Sequence, residues 1–306
     1  MLEYQLQRAW SLYHSGQYSP AIDHLKNLLG QNPNHAEAHG LLAACLLGDK
    51  RLHASEYELG IALQQDPMQP MLFFIQAKIY LFKRQFKEAL KACDQALALA
   101  PEYVDALLQK SAIYLLQDDF SEAKSCIESA ARIDPSHSQI HNCFARLYLA
   151  KGDLAQAETY AYEALRSDAQ DESANVLMGK IQLAKGNLGE AEYHAKFVIM
   201  NSPNSEEALA LFANLKARKN WFVGLWWRFN NKLANMSQLR QVSWLICAYL
   251  FFNLLSQIVG DLGYPLLSDV IAYTWIGLAI YSWVAIPIYM RMLKKELQNF
   301  RFNRDF

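Results

Sequence analysis

Residues 104–137 read VDALLQKSAIYLLQDDFSEAKSCIESAARIDPSH, and the reading of this stretch decides the fold. Its landmarks are Leu107, Ser111, Tyr114, Phe120, Ala123, Ala130 and Pro135. Thirty-four residues earlier the same pattern stands as Phe73, Ala77, Tyr80, Phe86, Ala89, Ala96 and Pro101. Thirty-four residues later it returns as His141, Ala145, Tyr148, Leu154, Ala157 and Ala164. A fixed period of this length carrying two helical patterns marks a solenoid of stacked helical hairpins.

The register runs without insertion or deletion from Leu2 to Ser205, with six repeats starting at Leu2, Ala36, Pro70, Val104, Ser138 and Glu172. A small residue recurs in the first helix (Ala9, Ala43, Ala77, Ser111, Ala145, Gly179) and in the second (Ala21, Ser55, Ala89, Ala123, Ala157, Ala191). Small side chains let the two helices of a hairpin approach closely along that line. Between them falls a large apolar residue: Tyr18, Leu52, Phe86, Phe120, Leu154 or Leu188. A proline that cannot continue the second helix closes five of the repeats, at positions 33, 67, 101, 135 and 203. Ala169 takes its place in the fifth, which leaves that boundary the least defined. Gly16, Gly152 and Gly186 mark the turn within repeats one, five and six, where Lys50, Arg84 and Asp118 stand in the others.

These residues resemble the tetratricopeptide repeat (TPR) family over about two thirds of the chain. The resemblance implies an all-α solenoid of six 34-residue hairpins over 1–220, with residues 206–220 as a capping helix in which Leu209, Phe212, Ala213 and Lys216 stay in phase. It also implies a concave groove lined by the first helices, chiefly through their second, fifth, ninth, twelfth and thirteenth residues. On this register the candidate groove residues are Phe74, Lys78, Leu81, Leu115, Asn142, Arg146, Leu149, Lys180 and Leu183. They form an apolar strip carrying three cations, suited to an apolar protein or peptide segment flanked by acidic residues. The alternative is that the leucines seal a tight superhelix and leave no groove. No three successive repeats reproduce the carboxylate clamp of TPR co-chaperones.

Charge divides unevenly. Residues 206–306 hold 11 Lys/Arg against 6 Asp/Glu, leaving residues 1–205 at a net −6. An acidic solenoid has no general attraction for nucleic acid. Five scattered cysteines form no CxxC; Cys45, Cys126 and Cys143 read as small buried apolar groups. The start, MLEYQLQRAW, has no basic segment followed by an apolar core, so no signal peptide is expected.

Residues 221–233, WFVGLWWRFNNKL, change the composition abruptly. Trp221, Trp226, Trp227, Arg228 and Lys232 suit a membrane interface over 221–240, since Trp settles at headgroup level and Arg and Lys reach phosphates. An aromatic helix packed on the solenoid is the competing reading. Residues 241–260 and 270–290 are uncharged runs of 20 and 21 residues. At about 1.5 Å per residue each matches a hydrocarbon core of about 30 Å. They predict a two-helix transmembrane anchor over 241–306, turning through Gly263 and Pro265. Basic residues flank both outer ends (Arg228, Lys232 and Arg240; Arg291, Lys294 and Lys295), while the connection holds only Asp261 and Asp269. The positive-inside rule then places the solenoid and C-terminus in the cytoplasm, with a bacterial inner membrane as the preferred location.

No catalytic constellation emerges: GxxxxGK[ST], GxSxG and a glycine-rich dinucleotide loop are all missing. His137 and His141 lie four apart but straddle a repeat boundary, and no Glu completes a zinc motif. Asn253, Ser256 and Gln257 within the first run suit contacts between membrane helices. The sequence thus predicts a membrane-anchored interaction scaffold and no enzyme, metal or cofactor. An assembly or regulatory subunit that contacts a membrane complex through the hairpin is the alternative, and homo-oligomerisation stays open.

Overall fold

The computed structural model describes residues 2–203, 205–219, 238–271, 273 and 274. Contacts divide the chain into two compact units, Met1–Lys185 and Gly186–Phe306.

The first unit is a run of eleven helices: α1 (Leu2–His14), α2 (Tyr18–Gln31), α3 (Ala36–Gly48), α4 (Leu52–Gln65), α5 (Pro70–Phe82), α6 (Phe86–Leu99), α7 (Val104–Leu116), α8 (Phe120–Ile133), α9 (Gln139–Lys151), α10 (Leu154–Ser167) and α11 (Glu172–Lys185). The helices α1, α3, α5, α7 and α9 each pack on the second helix of their own repeat and beside the first helix of the next, so α1, α3, α5, α7, α9 and α11 form one continuous face. The small-residue lines explain the close pairing: Ala9, Ala43, Ala77 and Ala145 are fully buried, as are Ala21, Ala89, Ala123 and Ala157. Serine replaces alanine at two of these positions and satisfies its hydroxyl locally. Ser55 Oγ donates to the Ala43 carbonyl at 2.7 Å, and Ser111 Oγ to the Leu108 carbonyl at 2.7 Å. Ile75, Ile79, Ile113, Ile127, Leu147 and Ile181 fill the layers between hairpins.

Every turn within a repeat is built alike. Its corner residue is left-handed at all six places: Gly16, Gly152 and Gly186, but also Lys50 (φ 61°), Arg84 (φ 58°) and Asp118 (φ 60°). The conformation returns the chain while the next N–H caps the finished helix; Gln85 donates to the Tyr80 carbonyl and Asp119 to the Tyr114 carbonyl, both at 2.9 Å. At the fifth repeat Ala169 does not blur the boundary. Asp168 ends α10 in extended conformation (φ −144°), and its carboxylate accepts from Gln170 N at 2.8 Å. The aspartate turn sets the bend that proline marks elsewhere. Equivalent carboxylate–lysine bridges tie second helices to the following first helices, Glu56 to Lys83 and Glu158 to Lys185.

In the second unit α12 (Leu188–Asn201) packs on α13 (Glu206–Lys219), which buries Leu211, Phe212 and Leu215 and completes the thirteen helices in repeat register. A long helix, α14 (Gln238–Asp261), follows; it turns through Gly263 (φ +86°), and residues 265–271 are again helical. The second arm therefore begins five residues before the expected 270, because Pro265 suits the first helical turn, where its missing N–H costs nothing. Ser256 Oγ donates to the Ser268 carbonyl at 3.0 Å and pairs the two arms.

Among the described residues no helix is long and apolar enough to cross a membrane. Side chains of α14 are described only from Tyr249 onward. Most of the second run, 270–290, and the interfacial residues Trp221, Trp226, Trp227, Arg228 and Lys232 lie outside the described residues. The transmembrane hairpin is thus an expectation from sequence that these residues do not carry.

Candidate functional site

The candidate groove residues lie on four first helices, α5, α7, α9 and α11. Phe74, Lys78 and Leu81 come from α5, Leu115 from α7, Asn142, Arg146 and Leu149 from α9, and Lys180 and Leu183 from α11. Phe74, Lys78, Leu81, Leu115, Leu149 and Lys180 are half-buried, Arg146 is exposed, and Asn142 and Leu183 are buried.

The three cations are not equivalent. Lys78 Nζ donates to Tyr13 Oη at 3.0 Å and sits over the Phe74 ring, 4.7 Å from its centroid. It is a bridge to α1 rather than an open charge, yet no carboxylate pairs with it among the described residues. Arg146 is exposed and has neither ion-pair nor hydrogen-bond partner among them. Lys180, about two turns into α11, is half-buried.

Asn142 is a tie between repeats. At 1 % exposure its Nδ2 donates to Asp171 Oδ2 at 2.7 Å, and Asp171 in turn accepts from Ser173 N at 2.8 Å to start α11. Sequence register assigns Asn142 to α9 without showing that Asp171 engages it. The register also passed over Phe82 and Leu116, the last residues of α5 and α7, which are 51 % and 60 % exposed. Their apolar character at the thirteenth repeat position was the available signal. His39 is a further residue without a sequence signal: its Nδ1 lies 2.7 Å from Glu58 Oε2 and its Nε2 2.9 Å from the Pro33 carbonyl oxygen.

Among the described residues no group of three or more His, Cys, Asp or Glu is arranged to hold a metal. His137 precedes α9 and lies 3.5 Å from Asp105, whereas His141 packs against the Tyr160 ring, so the pair shares no site. Burial pushes the Cys45 and Cys93 thiols up to about 12, and Cys126 and Cys143 are raised by the same cause. Such thiols hold their protons and are poor nucleophiles.

Tetratricopeptide repeat profiles match residues 12–79, 83–147 and 142–206. A thermophilic TPR protein from Thermus thermophilus superposes with a TM-score of 0.55 at 22 % identity, covering 60 % of this chain and all of that one. PilW, a widely conserved type IV pilus biogenesis factor, gives 0.51 at 20 % identity over 69 % of this chain and 97 % of its own. A structure of an APC/C hetero-tetramer gives 0.63 at 12 % identity, over 94 % of this chain and 55 % of that one. At these identities the likeness is one of fold. No curated protein sequence matches the chain. With the 34-residue period, the left-handed corners and the profile matches in agreement, the chain belongs to the tetratricopeptide repeat family.

Proposed function

We propose that this chain is a membrane-anchored scaffold that presents the first-helix face of its repeats to a protein partner. Proteins of this family are typically interaction scaffolds. The observation that carries the reading is the strip from Leu81 and Phe82 through Leu115 and Leu116 to Leu149, half-buried or exposed, beside the unpaired Arg146. An apolar strip next to an open cation suits an apolar segment with an acidic flank, and the acidic surroundings make that cation selective. A tightly sealed face would leave neither Leu116 nor Arg146 open to solvent.

The membrane part of the proposal draws on sequence and on the character of the hairpin. Its described side chains are largely apolar and exposed, among them Leu254, Ile258, Leu262, Leu266 and Val270. Apolar surface of that extent in water calls for a covering phase or partner. The uncharged runs and their basic outer flanks favour a bilayer, with the repeats and C-terminus on the cytoplasmic side of a bacterial inner membrane. The second reading has the hairpin contacting a membrane complex, for which Asn253, donating to Tyr249 Oη at 3.3 Å, offers polar side chains. Under it the chain is an assembly or regulatory subunit.

The test is a double reversal, Arg146→Glu with Lys180→Glu, in the full-length chain, with partner recovery after detergent extraction. Loss of the partner with unchanged helicity and thermal unfolding supports the groove. Equal recovery in moderate salt refutes it and leaves the hairpin reading standing.

A further inference from the structure

The two arms of the hairpin fill the face between them. Ser256 Oγ lies 3.0 Å from both the carbonyl and the hydroxyl oxygen of Ser268, and a Cβ at Gly260 would stand 3.4 Å from that hydroxyl. Phe252, Leu255 and Val259 are half-buried on the same side of α14. The opposite side is open. Leu250, Leu254, Gln257 and Asp261 are all exposed and follow one another at intervals of four, three and four residues, the seam spacing of two paired helices. Asn253 and Ile258, also exposed, flank that seam.

Two side-chain amides interrupt this apolar stripe. Gln257 makes no hydrogen bond among the described residues. Asn253 Nδ2 donates to Tyr249 Oη at 3.3 Å, and its carbonyl oxygen has no donor among them. Both amides stand among the exposed Leu250, Leu254 and Ile258, and residues 249–271 contain no Lys or Arg. An amide in apolar surroundings gains by pairing, and because it both donates and accepts, an identical amide answers it in full. A bilayer holds every copy the same way up, so two hairpins meet with α14 parallel about a two-fold axis. Each seam residue then faces itself: leucine on leucine at 250 and 254, amide on amide at 257. Asp261 ends the stripe at the turn, where water and salt screen the like charge.

We propose that the open face of α14 pairs with the same face of a second copy of this chain, with Gln257 fixing the register. One polar pair in an apolar seam disfavours shifted alignments, because each of them sets an amide against leucine. The pairing rests on the membrane reading of the hairpin and adds a two-fold partner to it. It is separate from the reading of Arg146 and stands if the first-helix face proves empty.

The test is oxidative cross-linking with copper phenanthroline in cells making the full-length chain, with Cys247→Ser so that the introduced thiol is the one read. Leu254→Cys stands on the seam. Phe251→Cys is the control: it is 61 % exposed and, one residue past Leu250, lies about 100° around the helix from it. An adduct of two copies is expected about tenfold faster at 254 than at 251, since a disulfide needs Cβ atoms within about 4.5 Å. Gln257→Leu keeps the bulk and removes the amide, and should lower the yield about threefold, the worth of one hydrogen bond between membrane helices. Equal rates at 251 and 254, an adduct with another protein, no adduct, or an unchanged yield in Gln257→Leu overturns the pairing. Fractionation of the same cells reads the anchor separately. Chain that pellets with membranes as a monomer refutes the pairing alone, whereas chain that stays in the soluble fraction refutes the membrane reading and the pairing with it.

Discussion

Lys78 Nζ donates a 3.0 Å hydrogen bond to Tyr13 Oη across 65 residues of sequence, joining the first helix of repeat three to that of repeat one. The first helix of the repeat between them, α3, carries Gly40 and Ala44 at its fifth and ninth repeat positions, where larger side chains would stand in the way. A Cβ at Gly40 would come within 2.5 Å of Leu72 Cδ2, so the glycine also lets α5 pack closely. Tyr13 lies on the same buried cluster, which includes Ala43, Leu72, Ile75 and Ile79. Tyr13→Phe keeps the ring and removes the acceptor. It should cost about 0.5–1.5 kcal/mol in urea unfolding, the net value of one such bond. An unchanged midpoint would mean that the bridge is incidental.

The left-handed corners give a prediction of opposite sign. Arg84 sits at φ 58°, a conformation that disfavours a side chain by about 1–2 kcal/mol. Arg84→Gly removes that strain, partly offset by the greater freedom of glycine in the unfolded chain. A rise of several degrees in unfolding temperature is expected; a fall would show that the arginine side chain contributes more than its backbone costs.

Register itself is testable within one helix. Ala123 in α8 is fully buried, and its neighbour Glu122 is exposed. Ala123→Phe should overpack the fourth hairpin by about 1–3 kcal/mol, whereas Glu122→Ala should stay within about 0.5 kcal/mol. Small and equal effects at both positions would contradict the packing.

Much of this was legible in the sequence, and the reason is periodicity. Ala123 and its counterparts recur every 34 residues because each hairpin imposes the same close approach. The site was less legible. Register assigns Asn142, Lys78 and Arg146 to the same face but does not say what each touches. The partners that settle two of them, Asp171 and Tyr13, lie 29 and 65 residues away and follow no period.

Alkaline pH should weaken the fold. The Cys45 and Cys93 thiols rise from 9.0 to about 12 on burial, so the folded chain holds protons that the unfolded chain has released. Their contribution is complete below pH 9 and declines as pH climbs toward 12. Urea midpoints measured across this window should fall, and Cys45→Ala with Cys93→Ala should flatten the decline. A slope unaffected by the double change would place its origin elsewhere.

Topology is best read at the hairpin turn. Leu266 is 83 % exposed, while Ser268 is engaged by Ser256, so Leu266→Cys is the better reporter. In intact cells it should react with an impermeant maleimide, and a cysteine placed at Glu122 should react only after lysis. Labelling at position 122 in intact cells would reverse the proposed orientation.

The central claim, that the first-helix face captures a protein, is tested most directly by site-specific photocrosslinking in cells. A benzophenone side chain replaces Leu115, Leu149 or, as a control on the exposed side of α4, Tyr57. The account predicts one common protein adduct from Leu115 and Leu149, absent at Tyr57 and lost when Arg146→Glu is added. Adducts from Tyr57 alone, or adducts at Leu115 and Leu149 that survive Arg146→Glu at equal yield, would contradict it.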